Sequence, residues 1–289
     1  MIFREGAFRI FPLTAATAAM EKTMSMSIGC VGCGNMGGAI LAGLAASSLD
    51  CALYGHTRTA ARMAPLEAAG VTRLDSARDL ARQARYVVLA VKPYQAEAVL
   101  ADMAPELGPD KVLISVAAGI SIARLQAAVQ GRCPVVRCMP NTPALVGKGV
   151  FALCFGEGVT ERGRTDILRF FAELGVCLEL PEARFTAFSA LIGAGPAYVF
   201  GMMQGLVQAG ITLGLGRKEC REMVAALFEG SAVMAARSET PLMELRDQVC
   251  SPGGLTIAGV NVLDRAGLAG LLVDAVLAAD RRGREMENE

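Results

Sequence analysis

The stretch Ile28-Gly29-Cys30-Val31-Gly32-Cys33-Gly34-Asn35-Met36-Gly37 decides how this chain folds. A short apolar run, three spaced glycines and a helix-compatible segment from Ala39 to Ala46 describe a strand, a tight turn and a helix, the setting of a dinucleotide cradle. Each glycine then has its own role. Gly32 permits the turn, Gly34 lets the backbone approach a pyrophosphate, and Gly37 lets the helix pack closely. In a chain with 32 glycines such a triplet is weak by itself. The downstream pattern is more telling. Strand-like runs recur at Cys51 to Tyr54, Tyr86 to Val91, Val112 to Val116 and Val135 to Cys138, separated by helical stretches such as Ala60 to Ala69 and Ala77 to Ala84. That alternation predicts a parallel sheet with helical crossovers. Ligands on such sheets bind beyond the carboxyl ends of the strands. Here those ends carry Lys92-Pro93, Ala117-Ala118-Gly119 and Met139-Pro140-Asn141-Thr142-Pro143.

A dinucleotide site that prefers NAD has an acidic residue at the end of the second strand to accept from the ribose 2′-hydroxyl. The segment His56-Thr57-Arg58-Thr59 has none. Its hydroxyls, its Arg and the only His of the chain suit a 2′-phosphate, with Arg58 supplying the charge, so NADPH is the expected cofactor, with NADH as an alternative. The competing reading makes His56 and Arg58 solvated turn residues.

A second anion cradle lies near the other end, at Ser251-Pro252-Gly253-Gly254-Leu255-Thr256, just before a helical segment. Free backbone N–H groups and the positive end of a helix there can hold a carboxylate or phosphate. The bland reading of Thr256 is a hydroxyl that caps its own helix. Two anion cradles in one chain suggest a reductase acting on a small acid.

Composition removes several rivals. The 289 residues suffice for two domains, and 53% of them are hydrophobic. Net charge is zero and no long basic run occurs, so nucleic-acid binding has no electrostatic support. A single His leaves little for a metal cluster or a Ser/His/Asp triad, and no metal site is expected. The nine cysteines are odd in number and sit in apolar stretches, as buried free thiols do. Cys30 and Cys33 have Cys-x-x-Cys spacing, but one falls in the first strand and the other in the glycine turn, with no second pair to complete a site.

Residues 1–24 make a poor signal peptide, interrupted by polar residues and by Pro12, and are expected to be a disordered or non-native extension. Residues 25–181 form the expected sheet domain. Residues 182–289 show no strand pattern and are expected to be all helical, over Lys218 to Ala236, Pro241 to Val249, Leu255 to Arg265 and Leu268 to Arg282. No charged residue occurs from Phe185 to Gly216. Gly193, Gly195, Pro196 and the polar Gln204 and Gln208 argue against a membrane span, leaving a buried helical core or subunit interface as the expectation.

The glycine stretch, Ala90-Val91-Lys92-Pro93, Arg137-Cys138-Met139-Pro140-Asn141-Thr142-Pro143-Ala144, Gly195-Pro196-Ala197-Tyr198 and Asp247-Gln248-Val249-Cys250-Ser251-Pro252-Gly253-Gly254 together resemble pyrroline-5-carboxylate reductase, in order from Met26 to about Arg282. The resemblance implies NAD(P)H-dependent reduction of 1-pyrroline-5-carboxylate to L-proline in the cytoplasm. It also implies an α/β fold, with an N-terminal Rossmann-type parallel sheet domain followed by an all-helical dimerisation domain, in a homodimer often assembled into a decamer. It places cofactor contacts at Gly32, Gly34, Asn35, Met36, Gly37, His56, Thr57, Arg58, Val91, Lys92, Pro93, Ala118 and Asn141. It places substrate contacts at Glu182, Gln248, Ser251, the amides of Gly254 and Leu255, and Thr256, the last as the catalytic residue. Two positions depart from the family pattern, Ala194 where Ser is usual and Leu255 where a small residue is usual. The architecture is also similar to hydroxyacid dehydrogenases of the same superfamily, which use a Lys of the helical domain. Lys218 is the only Lys beyond Lys148 and lies in a polar turn-like stretch, which disfavours that rival. A catalytically silent NADP-binding regulator is the rival from another class, disfavoured by the intact Thr256 loop.

Overall fold

The computed structural model describes residues 10–11 and 26–288. The chain divides into two compact units, one running to Gly193 and including residues 282–289, the other spanning Ala194–Arg281. The division falls beyond the Pro181–Glu182 boundary expected from the sequence. Of residues 1–24, Ile10–Phe11 form a short strand, β1, paired antiparallel with Cys177 and Leu178, so this dipeptide belongs to the sheet. The expectation for the remainder of that segment lies outside the described residues.

The first unit is built on one sheet. Its other strands are β2 (Met26–Val31), β3 (Cys51–His56), β4 (Thr72–Arg73), β5 (Tyr86–Leu89), β6 (Val112–Ser115), β7 (Val135–Met139), β8 (Gly149–Phe155) and β9 (Gly175–Glu179). Across the sheet the order is β1-β9-β8-β7-β6-β5-β2-β3-β4. The portion β4-β3-β2-β5-β6-β7 is parallel throughout, in the 3-2-1-4-5-6 order of dinucleotide folds when counted from β2. The strand order reverses between β2 and β5, and that switch point puts the glycine turn and the Lys92 loop side by side. Strand β8 then runs antiparallel to β7 and parallel to β9.

Strands β5 and β6 are buried at every position, as central parallel strands covered on both faces must be. Alternation sorts their side chains: Tyr86, Val88 and Ile114 join one core with Ile40, Leu41, Phe151 and Phe170, while Val87, Leu89 and Leu113 join the other with Leu80, Leu100 and Leu125. The crossover helices are α1 (Asn35–Ala45), α2 (Ala64–Ala68), α3 (Ala77–Gln83), α4 (Pro93–Met103), α5 (Ile122–Ala128) and α6 (Glu161–Ala172), with a short α7 (Phe185–Phe188) at the end. Ser76, Ser121 and Thr160 cap α3, α5 and α6 by accepting from a backbone N–H of the first turn.

Two elements differ from the sequence reading for local reasons. The helix expected over Ala60 to Ala69 is a 3-10 turn at Ala60–Arg62 followed by α2. Pro65 has no N–H to bond back to the Ala61 carbonyl and is tolerated only in a first helical turn, so the regular helix starts afresh at Ala64 with Pro65 in that turn. Helix α1 begins at Asn35, which makes Asn35, Met36 and Gly37 its first turn rather than a loop before it.

The second unit is helical: α8 (Gly195–Thr212), α9 (Arg217–Arg237), α10 (Leu242–Gln248), α11 (Leu255–Arg265) and α12 (Leu268–Asn288), whose last turns belong to the first unit. Its internal core is small, with Val207, Cys220 and Val224 at the centre. Many large apolar side chains remain exposed, among them Phe200 (64%), Leu227 (55%), Met234 (62%) and Leu271 (62%). By length and composition the segment Glu182–Thr212 is apolar enough to cross a membrane, although the π-helical turn Ser189–Gly193 interrupts it.

Candidate active site

The cofactor half of the site is set by two glycines. Gly32 has φ +97°, and a Cβ added there would lie 2.7 Å from the Ala90 carbonyl oxygen, so only glycine turns the chain here. At Gly37 a Cβ would collide with the Gly32 carbonyl oxygen and lie 2.8 Å from Cys30 Sγ, because α1 presses directly onto the end of β2. The turn is held by its own bonds: Gly32 N–H donates to the His56 carbonyl at 2.8 Å and Gly34 N–H to the Gly32 carbonyl at 2.8 Å. Gly34 is the N-cap of α1 and no side chain caps the helix, which leaves first-turn N–H groups and the positive helix end for an anion. Asn35 is exposed and Met36 half-buried at that same end.

Cys33 plugs the turn from beneath, its thiol within hydrogen-bond reach of the carbonyls of Cys30 at 3.7 Å and His56 at 3.6 Å. Burial pushes this thiol up to about 11 and the fully buried Cys30 well above its ordinary value. Both are therefore protonated near pH 7 and pack as small apolar groups.

At the end of β3, His56 Nδ1 donates to the Leu74 carbonyl at 3.0 Å, since a carbonyl can only accept. The imidazole thus ties β3 to the segment after β4 and fixes the loop Thr57-Arg58-Thr59. Thr57 is half-buried and Arg58 is exposed, and no carboxylate stands in the loop. Beyond β5, Val91 Cγ1 lies 2.9 Å from where a Gly32 Cβ would stand, and Lys92 is the exposed N-cap of α4, with Pro93 opening that helix. Ala118 is exposed after β6.

Asn141 is buried after β7 and strongly committed: its Oδ1 accepts from Val150 N–H at 2.8 Å and its Nδ2 donates to the Ile192 carbonyl at 3.3 Å. It therefore anchors the loop to β8 and to the π-helical turn, a role the sequence did not reveal. One lone pair and one N–H remain for a ligand. Glu182 is committed as well. Its Oε1 accepts from Arg137 Nη1 at 3.0 Å and from Ile122 N–H at 2.7 Å, and the buried Arg137 guanidinium also stacks 4.8 Å from the centre of the Phe185 ring. This pair compensates a charge within the first unit.

The second unit holds the other cradle. Gly253 has φ +69°, Gly254 N–H donates to the Ser251 carbonyl at 3.0 Å, and Gly254 is the N-cap of α11 without a side-chain cap. The first backbone bond of the helix is Ala258 N–H to the Gly254 carbonyl, so the N–H groups of Leu255 and Thr256 precede the intrahelical pattern. Thr256 stands at the second helical position and does not cap the helix, contrary to the bland reading of its hydroxyl. Ser251, Thr256 and Gln248 are exposed, and Leu255 is 95% exposed, so its bulk is almost uncovered by the described residues. Lys218 is exposed in the first turn of α9.

A residue the sequence did not single out stands at the glycine turn. The guanidinium Nη1 of Arg62 lies 3.2 Å from where a Gly34 Cβ would be, and apart from the flanking residues no other atom of the described residues comes within 4 Å of that point. Gly34 therefore presents a bare face with a cation over it, which fits a dinucleotide phosphate. No sequence signal marks Arg62 apart from its place after the Arg58 loop.

Residues 182–286 match the model of the pyrroline-5-carboxylate reductase dimerisation family, and residues 27–119 match the model of the coenzyme F420-dependent NADP oxidoreductase family. The pyrroline-5-carboxylate reductase of Pisum sativum is 36% identical over 265 residues, covering 91% of this chain and 96% of that protein. Among solved structures, the Plasmodium falciparum pyrroline carboxylate reductase with NADP bound superposes with a TM-score of 0.81 at 31% identity, covering 91% of this chain and 98% of that one. The Coxiella burnetii pyrroline-5-carboxylate reductase gives a TM-score of 0.84 at 30% identity, over 91% and 99%. With a glycine cradle at a parallel-sheet switch point, an uncapped Ser-Pro-Gly-Gly helix start and relatives of this similarity along nearly their whole length, the chain belongs to the pyrroline-5-carboxylate reductase family.

Proposed function

We infer that the chain reduces 1-pyrroline-5-carboxylate to L-proline with NAD(P)H, the closing step of proline biosynthesis. Family membership supports the reaction, and the observation in this chain that carries it is the uncapped start of α11, where Thr256 sits inside the helix with its hydroxyl left for a ligand. Bound NADPH supplies a hydride for the imine carbon. The protein's own share is to bind and orient. Backbone N–H groups of the loop from Ser251 to Thr256 hold the substrate carboxylate, with Gln248 beside them, and the Thr256 hydroxyl accepts from the protonated ring nitrogen. A protonated imine is already electrophilic, so positioning matters more than a strong acid, in keeping with a chain that has one His.

On the cofactor, the first-turn N–H groups of Asn35, Met36 and Gly37 hold the pyrophosphate, and Thr57 and Arg58 hold the 2′-phosphate. Val91, Lys92, Pro93, Ala118 and Asn141 border the nicotinamide half. Glu182 contacts the substrate through Oε2 on this reading, with the carboxylate oriented by the two bonds that Oε1 accepts from Ile122 N–H and Arg137 Nη1. Purified protein is expected to consume NADPH only when 1-pyrroline-5-carboxylate is added, with proline as the product by mass spectrometry. Consumption without proline, or none at all, would remove the assignment.

The assembly is a homodimer, with pairs gathered into a decamer as the larger form. Its support is the match to a dimerisation family over residues 182–286 together with the exposed apolar side chains of α8, α9 and α12, far more than a lone helical unit leaves to water. The apolar segment from Phe185 to Gly216 belongs to this interface rather than to a membrane. The nine cysteines are all free, which suits the reducing cytoplasm. Light scattering in detergent-free buffer is expected to give a dimer or a multiple of one. A monodisperse monomer at micromolar concentration, or a requirement for detergent, would contradict the interface.

A further inference from the structure

We propose that Arg62 is a second cation of the 2′-phosphate site, facing Arg58 across the bound phosphate, and that it sets the preference for NADPH over NADH. The inference rests on the reductase reading above and names a residue of its cofactor site. Arg62 ends the 3-10 turn Ala60–Arg62 that grows directly out of the ribose-reading loop, with its N–H bonded to the Thr59 carbonyl at 3.0 Å. The side chain is exposed, yet its Nη1 reaches back to the bare face of Gly34, 3.2 Å from the position of a Cβ there. Arg62 therefore bridges the two elements that border the adenosine ribose: the loop after β3 and the glycine turn. No ion pair engages Arg58 or Arg62 among the described residues.

Charge decides which phosphate the second arginine serves. The pyrophosphate is met by the N–H groups and dipole of α1, whose N-terminus no side chain caps. The 2′-phosphate has no helix end of its own in this loop and carries about −1.5 to −2 charge near neutrality, as a phosphomonoester does. One guanidinium leaves that charge half balanced. Two arginines offer a fork from either side, each with charge-assisted bonds that NADH cannot form.

The test is binding rather than turnover. Calorimetric titration of adenosine 2′,5′-bisphosphate and of ADP, with fluorescence titration of NADPH and NADH, separates the 2′-phosphate from the pyrophosphate. Arg62→Ala is expected to weaken adenosine 2′,5′-bisphosphate and NADPH by about 10-fold, the worth of one charge-assisted hydrogen bond, and to leave ADP and NADH as in the wild type. Arg58→Ala should behave alike, the double variant should lose more than either, and Arg62→Lys should recover part of the loss. Equal weakening of all four ligands would put Arg62 on the pyrophosphate, and unchanged binding of all four would make it a solvated surface residue; either overturns the proposal. Wild-type protein that binds neither NADPH nor NADH would instead overturn the reductase reading itself. Thermal unfolding of the unliganded variants, expected to match the wild type, separates a lost contact from a lost fold.

Discussion

Gly37→Val is expected to abolish useful NADPH binding, with an increase in dissociation constant of about 100-fold, and to destabilise the first unit by about 1–3 kcal/mol, the usual cost of overpacking. The reason is local. A Cβ at Gly37 would run into the Gly32 carbonyl and stand 2.8 Å from Cys30 Sγ and 3.0 Å from Ala90 Cβ, three groups fixed by the sheet. Relief requires α1 to lift from β2, which moves the first-turn N–H groups away from the pyrophosphate and breaks the turn that the Gly32 N–H to His56 carbonyl bond holds. The neighbouring Gly38 gives the control. A Cβ there would meet only the Cys33 carbonyl group, at 3.8 Å or more, so Gly38→Ala should bind NADPH normally and gain a little helix stability. Fluorescence titration and denaturant unfolding of both variants check the contrast, and normal NADPH binding by Gly37→Val would show that helix packing does not shape the cradle.

Thr256→Ala is expected to lower turnover with 1-pyrroline-5-carboxylate by roughly 10-fold or more while leaving NADPH affinity unchanged, since one well-placed hydrogen bond in the transition state is worth about that much. Helix stability should hardly move, because Gly254, not Thr256, is the N-cap and no side chain caps α11. That expectation separates the substrate role from a structural one. The backbone N–H groups of the same loop survive the truncation, so the variant should retain substrate binding and lose mainly kcat. Steady-state kinetics beside thermal unfolding gives the decision: wild-type turnover would deprive Thr256 of its role, and a large drop in melting temperature with proportional loss of activity would make it a fold residue. Leu255, 95% exposed, offers a companion position whose side chain faces away from its own unit and whose contribution to the loop is its amide.

The amino-acid sequence by itself determined the sheet half of the fold and the two cradles. The glycine spacing from Gly32 to Gly37, the apolar runs and the missing carboxylate after His56 are local signals, each tied to one or two residues' conformational or charge requirements, and they stand in the structure where the spacing puts them. Strands β8 and β9 were not singled out from the sequence, although Gly149 to Phe155 is an unbroken apolar run. Such a run does not by itself name its partner, and both segments take their places in the sheet because β7 and the aromatic cluster of Phe151, Phe170 and Phe171 offer an edge and a core to close. The break at Ala60–Arg62 follows from Pro65, yet the reach of Arg62 back to Gly34 depends on the turn that the break creates. Asn141 and Glu182 show the same division. Their place in motifs was legible, but Asn141 is bonded to Val150 and Ile192, and Glu182 to Arg137 and Ile122, partners 9 to 60 residues away in the chain. Short-range propensity and turn chemistry are written into neighbouring residues, whereas the partner of a buried polar group is fixed only when distant segments pack, because desolvation penalises a group left without one.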